Sequence, residues 1–169
     1  IAKYLSITSE DRPITTMPMA YSYGLSMINS HLLKGASIIL NDSTILENQF
    51  WNAFKTNKAT TFGGVPFVFK ILKKLRFENM NLPSLKYITQ AGGKLSTELT
   101  TEFVNICYKK KIKFFVMYGQ TEASPRMSYL PWDYAKEKSG SIGIPIPQGS
   151  FRIEDENGNR RHQAVSPGR

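Results

Sequence analysis

The segment Phe114-Phe115-Val116-Met117 is followed at once by Tyr118-Gly119-Gln120-Thr121-Glu122. Four apolar residues in a row, with no polar residue alternating between them, describe a strand buried on both faces. Such strands belong to parallel sheets covered by helices on either side. In an open sheet of that kind, ligands sit beyond the carboxyl ends of the strands. The abrupt change after Met117 therefore predicts a strand that ends there and a site that begins at Tyr118. Tyr118 has a ring that can stack on a purine, and Gly119 lets backbone approach a phosphate. Thr121 has a hydroxyl to donate to that phosphate, and Glu122 a carboxylate suited to Mg²⁺. Taken alone, the six residues fit a Tyr-Gly turn that caps a strand better than a ligand site.

The rest of the chain repeats the pattern of apolar strand and amphipathic helix. Leu25, Ile28 and Leu32 recur at helical spacing before Gly35, and predict a helix whose buried face they form. Ser37 to Leu40 reads as a strand. Leu46, Phe50, Ala53 and Phe54 mark a second helix, Thr60 to Phe62 a short strand, and Pro66 suits the first turn of a third helix. Leu85 to Thr89 is the next strand, and residues 96–111 a helix with Ser96 as its N-cap. This order predicts an α/β fold, a mostly parallel sheet with flanking helices. Residues 1–125 form the sheet unit on this reading. Residues 126–169 form a loop-rich stretch and the start of a smaller β unit. From Pro125 to Gly149, proline and glycine predict loops; Phe151 to Glu154 predicts a strand, Asn157-Gly158 a type I′ hairpin, and the stretch near Gln163 its partner strand.

Charge and metal-binding residues narrow the function. Twenty-two basic and 13 acidic residues give a net charge of +9, which alone would suit nucleic acid or an anionic surface. Lys70, Lys73, Lys74 and Arg76, however, fall opposite Val68, Ile71, Leu72 and Leu75. Lys109, Lys110 and Lys111 close another helix, where cations complement its dipole. Solvated helix faces account for the charge, and no nucleic-acid partner is expected. Cys107 is the one cysteine and shares a stripe with Leu99, Phe103 and Ile106, so it reads as core. His31 and His162 are far apart with no cysteine nearby, which is not zinc spacing. No run reaches 18 apolar residues, so no transmembrane segment is expected, and the cytoplasm is the expected compartment. Glu154, Asp155 and Glu156 read as a solvated hairpin tip, since neighbours on a strand point to opposite faces. Gly92-Gly93-Lys94-Leu95-Ser96 imitates the end of a phosphate loop, but Leu95 follows the lysine where Ser or Thr is needed.

Five segments in order carry a family resemblance. They are Pro18-Met19-Ala20-Tyr21-Ser22-Tyr23-Gly24-Leu25, Gly63-Gly64-Val65-Pro66, Gln90-Ala91-Gly92-Gly93-Lys94-Leu95-Ser96, Tyr118-Gly119-Gln120-Thr121-Glu122, and Gly140-Ser141-Ile142-Gly143-Ile144-Pro145 with Phe151 to Asp155. Together they resemble the AMP-forming acyl-CoA synthetases, luciferases and adenylation domains. The resemblance implies part of the large N-terminal domain of an acyl-adenylate-forming enzyme. That family's phosphate loop, its ribose-binding Asp and its C-terminal domain with a catalytic Lys have no counterpart here, so the chain is expected to be an internal piece, inactive alone.

The resemblance implies residue roles as well. Tyr118 and Gly119, with Gly92 and Gly93 at the edge, would hold the adenine and its phosphates. Thr121 and Glu122 would serve catalysis, with Mg²⁺ on Glu122. Tyr21, Tyr23, Gly24 and Val65 would wall the acid pocket; the Tyr21 phenol would position the carboxylate, close the pocket, or act only as a core aromatic. The implied reaction joins a carboxylic acid to ATP as an acyl-adenylate and passes it to CoA, with ATP, Mg²⁺ and CoA required. Loading of a carrier protein, or a non-catalytic member that binds a nucleotide or a partner, are the alternatives.

Overall fold

A computed structural model describes residues 1–160. Three short strands, β1 (Thr61–Gly64), β2 (Tyr87–Gln90) and β3 (Lys113–Gln120), pair in parallel. The register aligns Phe62 with Ile88 and Phe114, and Gly63 with Thr89 and Phe115. Because side chains alternate along a strand, these two rows face opposite ways. The first row meets α2 (Asn48–Thr56), α3 (Pro66–Lys74) and α4 (Thr97–Lys110); the second meets α1 (Ser22–Leu32) and the N-terminal turn. The parallel core between helices is the fold that the sequence implied. Its outer edge is irregular: Ile14 bridges to Ile39 and Pro13 to Thr61, both in parallel. Only that single bridge at Ile39 remains of the strand expected at Ser37 to Leu40.

The helix-rich face is packed largely by aromatics. Phe62 meets Phe50, Trp51, Phe54 and Phe77 edge to face, with centroids 6.1 to 6.4 Å apart, the geometry that the ring quadrupole favours. Phe103 lies 5.0 Å from Phe69 and 5.9 Å from Phe77. Pro66 opens α3, and Ser96 caps α4 by accepting from the Leu99 N–H at 3.3 Å. Cys107 is fully buried, and burial pushes its thiol well above the ordinary range.

Four expectations need correction. Leu25 and Leu32 are exposed, and α1 instead buries Tyr23, Met27, Ser30 and His31. Polar groups can face inward there because each is bonded: Ser30 donates to Met27 O, and His31 lies 2.7 Å from Met27 O and 2.9 Å from the Tyr87 hydroxyl. Leu46 precedes α2 and is exposed. The third strand does not stop at Met117 but runs on through Gln120 and turns at Thr121 to Ala123 into an antiparallel strand, β4 (Ser124–Tyr129). A two-residue β5 (Ile144–Pro145) pairs with β4 in turn, so the loops expected from Pro125 begin only after Tyr129. Pro125 is admitted because the ladder is bulged between Tyr118 and Gln120, which spares it the N–H that a regular ladder requires.

The fourth correction concerns the hairpin at Asn157-Gly158. Glu154 bridges Arg160, but only Gly158 has positive φ, and its N–H donates to Asp155 O. That is a type I turn followed by a left-handed glycine, not type I′. The Asp155 carboxylate accepts from the N–H groups of Asn157 and Asn159, which explains the acidic cluster without chemistry. The partner strand near Gln163 and His162 both lie outside the described residues.

Two expected outcomes follow from the packing. Truncating Phe62→Ala removes the centre of the aromatic cluster and should lower stability by about 3–5 kcal/mol in urea unfolding. His31 is a buried imidazole with Nδ1–H on a carbonyl, and burial lowers its pKa. The unfolded chain therefore binds more protons than the folded one below the ordinary histidine value, so this contribution is present near pH 7.5 and falls as the pH drops through about 6.5. His31→Gln should flatten that part of the stability profile, read as unfolding midpoints from pH 5 to 8.

Candidate functional site

The level register of β1, β2 and β3 brings three sequence motifs to one edge of the sheet. Gly64, Gln90 and Val116 are aligned, so Val65, Gly92 and Tyr118 emerge side by side just beyond them. Gly92 has φ +75°, and a Cβ built there would lie 2.5 Å from the Tyr21 hydroxyl and 3.0 Å from Val65 Cγ1. Tyr21, Val65 and Gly92, separated by 44 and 27 residues in sequence, thus meet in one place. Gly93 also lies in the left-handed range, against the Pro66 ring. No larger residue fits either position without moving a neighbour.

Beside this meeting point opens a cleft of about 470 Å³. Gly92, Gly93, Tyr118 and Gly119 line it, together with Gly140 to Ile142 from the loop after β4, and Lys94 is its one charged lining residue. The expected nucleotide residues are therefore brought together. Gly140 to Ile142 join them from far along the chain, held by the Ser128 hydroxyl, which donates to Ile142 O at 2.7 Å. Gly119 is required by the hairpin itself, since a Cβ there would lie 2.1 Å from Pro125 O.

Thr121 and Glu122 occupy the turn between β3 and β4, outside the cleft lining. The Thr121 hydroxyl is 2.9 Å from that of Ser22, the first residue of α1, and no side chain caps α1. The helix N-terminus, with its free N–H groups and positive dipole end, thus lies beside Thr121, an arrangement that suits an anion. Glu122 is exposed and takes part in no ion pair among the described residues. No group of three or more His, Cys, Asp or Glu among them is placed to hold a metal ion. A dedicated metal cage is thus missing from this region. One free carboxylate beside a hydroxyl nevertheless fits Mg²⁺ carried by phosphates, because that ion takes one or two carboxylates and draws its other ligands from the nucleotide and water.

Tyr23 and Gly24 do not reach the cleft. Tyr23 is buried against the row of small residues, its hydroxyl 2.7 Å from Thr89 Oγ1, and burial raises its pKa to about 12. Gly63 makes this possible, since a Cβ there would meet the Tyr23 hydroxyl at 2.7 Å. Gly24 allows α1 to pack on the Pro18 carbonyl.

The sequence reading missed Arg126. Its side chain is 1% exposed, its guanidinium lies 5.1 Å from the centre of the Tyr23 ring, and its Nε and Nη1 have no hydrogen-bond partner. A buried cation without an anion costs several kcal/mol, and a desolvated cation–π contact returns only about 2 kcal/mol of that. A single arginine between Pro125 and Met127 on a mixed strand gives no periodic signal. Only its burial makes it visible.

These features, a glycine-lined cleft at the ends of parallel strands with an aromatic ring, a hydroxyl and a free carboxylate beside it, place the candidate site where α/β sheets with flanking helices hold their ligands. The chain belongs to the AMP-binding enzyme family, which matches it over residues 1–169. It is 28% identical over 155 residues to a 2-succinylbenzoate–CoA ligase of Bacillus cereus (strain ZK / E33L), covering 90% of this chain and 30% of the relative. It is 26% identical over 164 residues to a feruloyl-CoA synthase of Amycolatopsis sp, covering 96% and 32%. Among solved structures it superimposes on the o-succinylbenzoate CoA synthetase of Bacillus subtilis bound to its acyl-adenylate intermediate, with TM-score 0.81, 25% identity, and coverage of 95% and 31%. The same enzyme bound to ATP and magnesium gives 0.80 at 24%, with coverage of 95% and 32%. The chain spans about a third of the length of the curated relatives it matches. No helix among the described residues is long and apolar enough to cross a membrane.

The contact between Gly92 and Tyr21 has a direct test. Gly92→Ala should destabilise the protein through both its φ and the clash with the phenol oxygen. Adding Tyr21→Phe removes that oxygen and should recover part of the loss. The expected coupling between the two sites in a double-mutant cycle of urea unfolding is above about 0.5 kcal/mol.

Proposed function

We propose that the whole protein is an AMP-forming acid–thiol ligase that activates a carboxylic acid with ATP and passes the acyl group to CoA. The observation that carries the reading is the convergence of Tyr21, Val65 and Gly92 beside a cleft lined by Tyr118 and Gly119, in a chain of the AMP-binding enzyme family. CoA is preferred over a carrier protein because the two relatives named above are a CoA ligase and a CoA synthase. ATP, CoA and the expected compartment, the cytoplasm, form one consistent picture.

In this reading the base stacks on Tyr118 and lies over Gly92 and Gly93, where no Cβ holds it away. The triphosphate runs towards Thr121 and the uncapped start of α1. Adenylation brings an anionic carboxylate against an anionic phosphate, so the charge that develops needs donors already in place. The Thr121 hydroxyl and the α1 N–H groups supply them. Mg²⁺, when held by Glu122 and the phosphates, would neutralise part of the same charge. Tyr21 closes the side of the cleft on which the acid must lie, with its hydroxyl against Gly92.

Acid-dependent release of pyrophosphate from ATP by the full-length protein tests the reading. Release with at least one carboxylic acid is expected, and silence over a broad panel of aliphatic, aryl and amino acids would instead favour a member that only binds. Glu122→Gln should lower kcat by about 10²-fold or more and raise the Mg²⁺ concentration needed for half-maximal rate. An unchanged Mg²⁺ dependence would remove Glu122 from the metal.

A further inference from the structure

We propose that Arg126 reads a second carboxylate on the acid, so that the substrates of this enzyme are dicarboxylic acids. The inference rests on the ligase reading for its reaction, but on a separate observation for its substrate class. Nε carries one N–H and Nη1 two, so three of the five donors of a fully buried guanidinium are unmet. Protein anions do not meet them among the described residues. Asp11 is the one buried acid, and it is held by Lys86 at 2.8 Å; the remaining ion pairs join Lys73 to Glu102 and Arg152 to Glu154. The phenols Tyr4 and Tyr23 lie against Arg126, and the Ile1 amine and His31, neither of them an anion, also feel its charge. Tyr4 and Tyr23 have their pKa values raised by burial, and neutral rings offer a cation no counter-charge.

The position fits a substrate wall. Arg126 follows Glu122 by four residues on β4, and the ring it covers, Tyr23, follows Tyr21 by two on α1. The guanidinium is therefore one ring removed from Tyr21: it lies 5.1 Å from the centre of the Tyr23 ring, which in turn lies 6.4 Å from the ring of Tyr21. Its flexible stem lets it turn from the Tyr23 face to a carboxylate seated beside Tyr21. A guanidinium suits this task, because its planar fork matches a carboxylate and it never loses its charge. An acid with an apolar tail would leave the cation unpaired, and sites built to bond a polar group discriminate strongly against ligands that lack it.

The test uses the full-length enzyme with matched acids such as hexanoate and adipate, or phenylacetate and its carboxymethyl-substituted analogue. Two readouts are taken: kcat/KM for pyrophosphate release, and calorimetric binding of each acid without ATP. The expected wild-type preference for the dicarboxylate is on the order of 100-fold. Arg126→Met should reduce that ratio at least tenfold, and Arg126→Lys should keep part of it. An equal ratio in wild type and Arg126→Met, or a loss shared evenly by both acids, would overturn the proposal and make Arg126 a structural cation. Should Arg126→Met fail to fold, Arg126→Lys decides: a reduced ratio supports the proposal and an unchanged one overturns it. The two readings fail separately. Arg126-dependent binding of dicarboxylates without any pyrophosphate release would sink the ligase and leave this inference standing. Release with no preference for the second carboxylate would do the reverse.

Discussion

The parallel register of β1, β2 and β3 is the constraint on which the rest of the molecule depends. Aligning Gly64, Gln90 and Val116 makes the three chain segments leave the sheet at the same level. A slip of one residue in any strand would reverse its faces. It would drive Phe62, Ile88 or Phe114 against the polar face of α1 and turn the small residues Gly63 and Thr89 towards the aromatic core. The hydrophobic effect thus fixes the register, and the register places the site. The geometry of the candidate site comes as a consequence of burying phenylalanine.

The second row shows how the same constraint produces a polar interior. Opposite Gly63 and Thr89 there is room for a phenol, and Tyr23 fills it with its hydroxyl on Thr89. Tyr87, further down the same face, bonds His31. The face of α1 that looks inward must therefore match hydroxyls, not methyl groups. Its histidine meets the Tyr87 hydroxyl, and its serines donate to carbonyls of their own helix, so each is buried at little cost. The leucines are left outside.

This explains why some elements were legible in the sequence and others were not. The helices α2, α3 and α4 pack on the aromatic row, so apolar periodicity located their buried faces through Phe50, Phe54, Leu72, Phe103 and Cys107. For α1 the same rule chose Leu25 and Leu32, because it counts methyl groups and cannot see a hydrogen bond that closes only in three dimensions. The strand β4 was hidden by Pro125, whose missing N–H is tolerated through a bulge across from it at Gly119. The site residues divide in the same manner. Those whose identity is forced by backbone, Gly92, Gly93 and Gly119, stand out in sequence, as do the aromatics next to them. Arg126 does not, since nothing in its neighbours announces that it will be buried.

Glycine and arginine also play opposite parts in what the site can distinguish. Gly92, Gly93 and Gly119 take away side chains, so they admit any ligand with a flat face and impose little choice beyond shape. Tyr118 stacks with similar indifference. Selection requires a group whose demands are costly to ignore, and a buried unpaired charge is the strongest such demand that a side chain can make. In this chain the glycine cleft lies at the ends of the parallel strands, and Arg126 lies against Tyr23 beneath α1. In the proposed reading, the chemistry shared by the family stays at the strand ends while the choice of acid changes through α1 and β4, without moving those ends.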